Sequence, residues 1–168
     1  MPKIIENLPE RLTAEAMKQI KEYGYGNMTI RTVAAGCGVG VGTVYNYFPS
    51  KDELLAACMM DDWKACIVEI GNASVLHSDP EPVLRTMYDQ LRLFAGRNHT
   101  VFQDPAAAAG FTGSFNRYHK QLRSHLSQPL RKFCQEDFQA DFIAEALLTW
   151  TMARKEFDEI YEMIGKLF

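Results

Sequence analysis

The chain has 168 residues, 47% of them hydrophobic, and a formal net charge of −3 at pH 7. A chain of this length can bury a core of its own, and its slight excess of acid gives no indication of a nucleic acid partner by itself. The first residues, MPKIIENLPERL, are short and mixed in character, so no signal peptide is expected, and no apolar run is long enough to span a bilayer. The expected location is the cytoplasm, without membrane contact.

The sequence predicts helix in every segment, so the expected fold class is all-α. The first helix is expected to begin at Asn7, with Pro9 and Glu10 in its first turn, and to end at Gly24. Proline is tolerated in the first turn of a helix, and glycine is common just after the last turn. Residues 1–60 hold six Lys or Arg and six Asp or Glu, so the surplus of acid lies in the remainder of the chain.

A second helix is expected to follow Thr29, whose hydroxyl can cap it. Gly36 and Gly38 come next, and they allow the backbone to turn because they carry no Cβ. The apolar side chains of this region fall at helical spacing and predict the small core of a helical module. The core candidates are Val33, Ala34, Val39, Val44 and Phe48.

A third helix, over roughly residues 40–47, is expected to end before Pro49, whose ring disfavours helix at the preceding residue. Ser50 and Glu53 then have the spacing of a capping box for a fourth helix. Two short helices joined by a tight turn form a helix-turn-helix module, for which duplex DNA is the obvious ligand. The third helix is too polar to be only a packing element, because it contains Thr43, Tyr45, Asn46 and Tyr47.

The remaining sequence predicts further helices without a recognisable motif. The fourth helix is expected to reach about Ile70 and the fifth to open at Pro80, followed by a loop over 96–100. A longer helix comes next, in which Pro129 is expected to cause a kink or an interruption. The last two helices are expected at about 139–153 and 155–168.

Residues 42–51 read GTVYNYFPSK, and Glu53 and Leu54 follow. This stretch resembles the DNA-binding domain of the TetR family of transcriptional regulators, in which a Gly-Thr-Leu/Val-Tyr-x-Tyr/His-Phe helix leads into Pro-Ser-Lys-x-x-Leu. The resemblance covers about residues 8–60. It implies a three-helix helix-turn-helix DNA-binding domain at 1–49 and a helical ligand-binding and dimerisation domain at 50–168.

The resemblance also implies how the first domain would hold double-stranded DNA. Thr29 and Lys51 would contact backbone phosphate, and Arg31 would reach a phosphate or a base edge. Asn46 is the candidate for base readout, because an amide pairs with adenine through two hydrogen bonds. The other expected DNA contacts are Thr43, Tyr45 and Tyr47.

In the TetR family a ligand pocket lies between the fourth and seventh helices. Large apolar side chains in this part of the chain suit a small hydrophobic or aromatic effector, and they suit an ordinary core equally well. His119 falls on an apolar face with no acid beside it, a setting more typical of a hydrogen-bonded core histidine. The pocket candidates are Met59, Trp63, Met87, Leu91, Phe94, Phe115, Tyr118 and His119.

The last two helices each carry an apolar stripe, and a monomer of this size would struggle to cover both. In the family these helices pair with those of a second copy, which implies a homodimer with recognition helices about 34–36 Å apart on a palindromic site. An intramolecular core is the alternative. The interface candidates are Phe142, Leu147, Trp150, Phe157, Ile160, Tyr161, Ile164 and Phe168.

Together these features predict a repressor that binds operator DNA as a homodimer and is released by its effector. A bound ligand would favour one tilt of the fourth helix, and only one separation of the recognition helices would fit the operator. The alternative is a dimeric sensor or interaction protein whose DNA-binding head has decayed. Gly40 and Val41, where many family members have Ser-Lys, and the neutral charge of residues 1–60 favour this alternative.

An enzyme is a further alternative, but the sequence shows no Ser/His/Asp set, no metal-ligand cluster and no phosphate-binding glycine loop. Neither a catalytic role nor a cofactor is therefore expected. The four cysteines form no CxxC pair and have no zinc-site spacing. We expect them to be reduced thiols that pack as small hydrophobic side chains, with a redox sensor as the alternative. They are Cys37, Cys58, Cys66 and Cys134.

Overall fold

The computed structural model describes residues 6–105, 107 and 114–168, except for the side chains of 114–117. Across these residues the chain forms helices and turns and no strand, which confirms the all-α class. Short 3₁₀ turns follow α7 and α9, at Arg131–Phe133 and Gly165–Leu167. The helices are α1 (Leu8–Tyr23), α2 (Ile30–Cys37), α3 (Val41–Tyr47), α4 (Lys51–Leu76), α5 (Pro80–Arg97), α6 (His99–Phe102), α7 (Ser114–Leu130), α8 (Asp137–Met152) and α9 (Phe157–Ile164).

The described chain divides into two compact units. The first contains residues 6–61 and 98–105, and the second contains residues 62–97 and 116–168. The helix α4 contributes residues to both units. The domain boundary expected after residue 49 stays a prediction. None of the described helices is sufficiently long and apolar to cross a membrane.

In the first unit, α1 packs on α2 and α6, and α2 packs on α3. The helix α1 begins and ends where the sequence predicts, between Asn7 and a Gly24 whose φ of 84° suits glycine. Three of the five predicted core residues are fully buried, while Val39 and Phe48 are half-buried. The buried apolar side chains of this unit include Leu8, Leu12, Ala16, Ile20, Met28, Ile30, Val33, Ala34, Val44, Leu54 and Leu55.

In the second unit, α5 packs on α8, and α9 packs on both of them. Apolar side chains recur every three or four residues along α5 and meet those of α8 and α9, which removes them from water. Tyr88 lies in this core, and its ring makes an edge contact with that of Phe157 at a centroid distance of 5.5 Å. The buried side chains include Val83, Leu84, Met87, Leu91, Phe94, Ile143, Ala144, Leu147, Leu148, Ile160 and Ile164.

Two predicted boundaries are wrong, the end of the fourth helix and a loop after the fifth. The helix α4 continues to Leu76, beyond the expected end at Ile70. The loop expected over 96–100 is mostly helical, because α5 runs to Arg97 and α6 starts at His99. The buried side chain of Val101, 2% exposed, anchors this short helix in the first unit.

Three smaller expectations also need correction. Gly36 lies inside α2 against the side chain of Glu15, so the turn depends on Gly38 alone. Pro129 does not break α7, because it lies in the last turn, one residue before the helix passes into a 3₁₀ turn. The last helix begins at Phe157, because Glu156 and Glu159 form a capping box there.

Candidate nucleic-acid interface

The start of α2 is fixed by reciprocal hydrogen bonds between two threonines. The backbone N–H of Thr32 donates to Thr29 Oγ1 at 3.1 Å, and the backbone N–H of Thr29 donates to Thr32 Oγ1 at 3.0 Å. This capping box confirms the predicted cap at Thr29. Both residues are exposed, as is Arg31 beside them. The predicted phosphate contacts at Thr29 and Arg31 therefore lie on an accessible helix end.

Side chains of α1 hold α2 and the turn after it in place. Gln19 Nε2 donates to the carbonyl oxygen of Thr32 at 3.1 Å, and Thr32 Oγ1 donates to Gln19 Oε1 at 2.6 Å. Arg11 Nη2 donates to the carbonyl oxygen of Cys37 at 3.1 Å, at the last residue of α2. Gly38 follows with φ of 68°, which allows the chain to enter α3. The orientation of α3 is thus set by contacts from α1 and α2.

The helix α3 directs most of its side chains outward. Val44 is the one α3 residue that is fully buried, at 0% exposure, while Thr43 and Val41 are half-buried. Tyr45 and Tyr47 are 50% and 47% exposed. Asn46 is exposed between them. Three of the four predicted contact residues of α3 are therefore exposed to solvent, while Thr43 is half-buried beside the buried Val44.

Lys51 has a role inside the first unit that the sequence did not predict. Its Nζ donates to the carbonyl oxygen of Tyr25 at 2.6 Å and lies 3.9 Å from the centroid of the Tyr25 ring. The Tyr25 hydroxyl in turn donates to Asp52 Oδ1 at 2.5 Å. Burial lowers the pKa of Lys51, whereas the carboxylates of Asp52 and Asp104 favour its charged form. The ammonium group is thus partly committed to the end of α1.

Most of the predicted effector-binding residues lie in packed cores. Trp63 is fully buried, and its ring makes an edge contact with that of Phe94 at a centroid distance of 5.3 Å. Met87 and Leu91 of α5 are fully buried in the same unit, whereas Met59 is buried in the first unit. Tyr118 and His119 are half-buried, and the Phe115 side chain lies outside the described residues. Their contact with an effector stays a prediction.

Two histidines of α7 have partners that the sequence did not predict. Trp63 Nε1 donates to His125 Nδ1 at 3.1 Å, so the neutral His125 ring carries its proton on Nε2. Burial lowers the pKa of His125, which favours the same neutral form. The expectation that no acid stands beside His119 is wrong, because its Nε2 lies 3.3 Å from Glu145 Oε1. Arg123 Nη1 lies 3.6 Å from the other oxygen of that carboxylate.

A groove of about 270 Å³ opens between α4 and α7 within the second unit. None of the predicted effector-binding residues lines it. Apolar side chains of α4 form one wall, and polar groups of α7 form the other. No periodic pattern in the sequence distinguishes these positions from ordinary helix surface. The lining residues are Ile67, Ile70, Gly71, Ser74, His125, Gln128 and Pro129.

The predicted dimer residues divide into buried and exposed sets. Leu147, Phe157, Ile160 and Ile164 are at most 5% exposed within one chain, so they belong to the core of the second unit and offer no surface to a partner. Tyr161 is half-buried. Large exposed apolar side chains nevertheless remain on α8 and at the end of the chain. They are Phe138 (75%), Phe142 (53%), Trp150 (50%), Met163 (66%) and Phe168 (40%).

Phe138 and Met163 are exposed apolar side chains that were not predicted from the sequence. Phe138 precedes Phe142 by four residues, and this spacing places the two rings on one helix face, 6.4 Å apart between centroids. That spacing is a signal from which Phe138 was predictable. Met163 lies outside the predicted stripe of the last helix, so its exposure carried no such signal.

The four cysteines are free thiols. Cys37, Cys58 and Cys66 are buried and Cys134 is half-buried, in agreement with small packing residues. Burial raises the pKa of each thiol, and that of Cys58 to about 12. Thiols in this state are poor nucleophiles near neutral pH, because the thiolate is the reactive form. Within the described residues, no group of His, Cys, Asp and Glu has the arrangement of a metal site.

The first unit has the architecture of a helix-turn-helix domain. The helices α2 and α3 meet across the turn at Gly38, α1 packs on α2, and α3 presents most of its polar side chains to solvent. In DNA-binding modules of this kind the second helix of the pair enters the major groove. The fold and the exposed side chains of α3 thus define a helix-turn-helix domain of the kind that binds DNA.

Comparison with known proteins shows which family the N-terminal domain resembles. Residues 12–58 match the model for bacterial regulatory proteins of the tetR family. An uncharacterized HTH-type transcriptional regulator of Mycobacterium tuberculosis is 39% identical over 51 residues, which are 30% of this chain and 24% of the relative. The transcriptional repressor KstR of the same species is 28% identical over 109 residues, which are 60% of this chain and 50% of KstR. The match is confined to residues 12–58, so the N-terminal part of the chain is similar to the DNA-binding domain of the TetR family.

A solved structure extends the likeness beyond the DNA-binding domain. Thermus thermophilus FadR, a TetR family transcriptional repressor solved in complex with lauroyl-CoA, is 20% identical with a TM-score of 0.67. The alignment covers 95% of this chain and 92% of the FadR chain. The two proteins therefore share a fold. The matched part spans half or less of the curated relatives named above.

Proposed function

We propose that this chain is a cytoplasmic transcriptional repressor that binds a palindromic operator as a homodimer and is released by a small hydrophobic or aromatic effector. The observation that carries the proposal is the outward face of α3, on which polar side chains surround one buried anchor. Side chains that face solvent on a rigidly held helix can reach base edges without any rearrangement of the domain. The proposed activity is recognition of DNA and not catalysis.

The α3 residues divide by the groups they offer. Asn46 can pair with the N6 and N7 atoms of an adenine through its side-chain amide. Tyr45, Tyr47 and Thr43 offer hydroxyl groups that bond to phosphate oxygens or to base edges. We assign Asn46 to base readout and the three hydroxyl residues to the groove and its phosphate walls.

Phosphate contacts are assigned to Thr29, Arg31 and Lys51. Thr29 and Arg31 are exposed at the N-terminal end of α2, where unpaired backbone N–H groups favour an anion. The Lys51 ammonium has three N–H donors, so its bond to the Tyr25 carbonyl oxygen leaves two for a phosphate. The hydrogen bond also restrains the long side chain, which lowers the entropy lost when DNA binds.

The exposed apolar side chains of the second unit support a homodimer. Phe142, Trp150 and Phe168 were expected at the interface and are 53%, 50% and 40% exposed in the single chain. Aromatic side chains of this size are enriched at the centres of protein interfaces. Phe138, at 75% exposure, extends this surface along α8. A second copy that covers these rings would place two α3 helices on one DNA duplex.

An effector site in the second unit would make DNA binding ligand-dependent. FadR was solved with lauroyl-CoA, a ligand with a long apolar chain, and the apolar side chains around Trp63 are compatible with a ligand of that chemical class. Such a ligand shifts the protein between two arrangements only as far as its affinities for them differ. If the free and the ligand-bound protein held the operator equally tightly, this mechanism would be wrong.

Selection from a random duplex pool tests the proposed function. Wild type, Asn46→Ala and Tyr45→Ala are compared, with Tyr23→Ala as the control because Tyr23 is an exposed tyrosine of α1 outside the proposed interface. We expect wild type and Tyr23→Ala to enrich one palindrome, and the two α3 variants to lose it. Absence of enrichment at any salt concentration would support the alternative of a sensor without a working DNA-binding head.

A further inference from the structure

The helix α3 of this chain carries no charged side chain. From Ile30 to Pro49 the sequence holds a single charged residue, Arg31, and this residue lies on α2. The helix α3 therefore has no side chain that can form an ion pair with phosphate or donate a charged fork to guanine. Its selectivity must come from hydroxyl, amide and apolar groups.

Val41 is an apolar side chain of α3 that does not belong to its fully buried core. The core position of α3 is taken by Val44, at 0% exposure, whereas Val41 is half-buried. A valine contributes most to stability when it is fully removed from water. Val41 therefore leaves part of its isopropyl group accessible on the helix that faces outward.

Two glycines flank Val41, and the fold itself requires neither. Gly40 has φ of −71° and Gly42 lies within the helix, so both have backbone conformations open to any residue. A Cβ at Gly42 would meet nothing within 4 Å, and a Cβ at Gly40 would meet only Thr43 Oγ1, at 3.8 Å. The missing side chains thus leave space on the outside of the domain. No side chain of residue 40 or 42 covers Val41, so another molecule can approach it closely.

The major groove offers one apolar group to such a side chain. Thymine carries a C5 methyl group there, and it is read through apolar contact. Tyr45 follows Val41 by four residues, which places the two on the same face of α3, and its ring is 50% exposed. A methyl group that enters between an isopropyl group and an aromatic ring loses its contact with water on several sides.

We propose that Val41, with the ring of Tyr45 one helical turn away, reads the C5 methyl group of a thymine in the operator. The inference rests on the proposed function and names a base feature that α3 distinguishes. Val41 is then a specificity-determining residue. The open space at Gly40 and Gly42 lets the edge of the base pair reach it.

The test replaces each thymine of the selected duplex by deoxyuridine, one position of the half-site at a time. This exchange removes only the methyl group and keeps every hydrogen-bonding atom of the base. Affinities of wild type, Val41→Ala and Val41→Ile are measured at a single salt concentration. Val41→Ile is the matched control because it keeps the apolar contact, and circular dichroism confirms that each variant is folded.

We expect the affinity to depend on the methyl group at one thymine position of the half-site. Wild type and Val41→Ile should lose affinity about fourfold for each methyl removed at that position, the factor associated with burial of one such group. The same exchange should change the affinity of Val41→Ala less than twofold.

Equal affinity of wild type for thymine and uracil at every position would overturn the inference, although sequence-specific binding itself would stand. An unchanged methyl dependence in Val41→Ala would overturn it as well, because another residue would then read the group. Failure of the pool selection to enrich any duplex would overturn the inference together with the proposed function.

Discussion

The imidazole of His125 links α7 to α4 through a hydrogen bond that depends on its protonation state. Its Nδ1 accepts the hydrogen bond from Trp63 Nε1 at 3.1 Å, which a protonated ring cannot do because both nitrogens would then carry hydrogen. Burial lowers the pKa of His125 from its ordinary value of 6.5. The attachment of α7 to α4 at this point is therefore complete only while the ring is neutral.

A pH dependence of stability follows. Below about pH 6.5 the unfolded chain takes up a proton on this imidazole before the folded chain does, so the free energy of unfolding falls as the pH is lowered. In His125→Gln the amide oxygen still accepts from Trp63 and does not titrate. Urea unfolding at pH 7.5 and 5.5 should show that wild type loses about 1 kcal/mol more than the variant, the usual worth of one hydrogen bond. Equal losses would show that His125 does not control this dependence.

Polar pairs of this kind were not predictable from the sequence. Lys51 bonds to a carbonyl oxygen 26 residues earlier in the chain, and His119 lies beside a glutamate 26 residues later. Local patterns identify which residues are polar, but a pair between distant residues depends on how the helices pack. The exposure of Tyr45, Asn46 and Tyr47 was easier to predict, because exposure on a short helix follows from its periodicity. Their contact with DNA stays a prediction.

Among the elements, the turn between α2 and α3 depends on backbone conformation at Gly38. Its φ of 68° lies in the left-handed region, where a residue with a Cβ is strained. Gly42 lies in regular helix with nothing within 4 Å of a Cβ position. The two glycines are thus a matched pair, one required by the turn and one not required by the fold.

Alanine at these two positions should have opposite effects on stability. Gly38→Ala is expected to lower the free energy of unfolding by about 1–2 kcal/mol because of left-handed strain. Gly42→Ala is expected to raise it by about 0.5–1 kcal/mol, since glycine inside a helix is less stable than alanine. Chemical denaturation measures both. A stabilised Gly42→Ala with undiminished DNA affinity would show that the space at Gly42 is not used by DNA.

Element boundaries were predictable where caps set them. Thr29 and Gly24 bound their helices as the sequence indicates, because their side chain or its absence acts on the adjacent backbone. Glycine at position 96 and proline at position 129 suggested interruptions, but both residues lie within the last turn of a helix. The positions of the cores in both units followed from periodicity, whereas the groove between α4 and α7 did not.

For the whole molecule, the exposed rings of α8 predict assembly. Phe142 is 53% exposed, so Phe142→Glu should leave the fold of one chain nearly unchanged and place a charge in the proposed interface. Sedimentation equilibrium should give twice the chain mass of 19.1 kDa for wild type and the single mass for the variant. Val75→Glu, at an 87% exposed position of α4, is the control and should remain a dimer. A dimeric Phe142→Glu would place the interface elsewhere.

The charge of the whole chain bears on its central proposed activity. With a formal net charge of −3 the protein lacks a general attraction to DNA, and phosphate neutralisation supplies most non-specific affinity. Its binding should therefore depend on the fit of two α3 helices to one sequence more than on charge. A high ratio of specific to non-specific affinity is the expected consequence.

The most direct measurement is that ratio, from fluorescence anisotropy on the selected duplex and on a scrambled duplex of equal composition at one salt concentration. We predict a preference of at least about 10³-fold for the selected duplex, which is the lower end of the range of specific to non-specific affinity ratios. We also predict that Asn46→Ala reduces this preference by about tenfold or more, as expected for loss of a bidentate base contact. Equal affinity of wild type for both duplexes would contradict the claim that α3 reads DNA sequence.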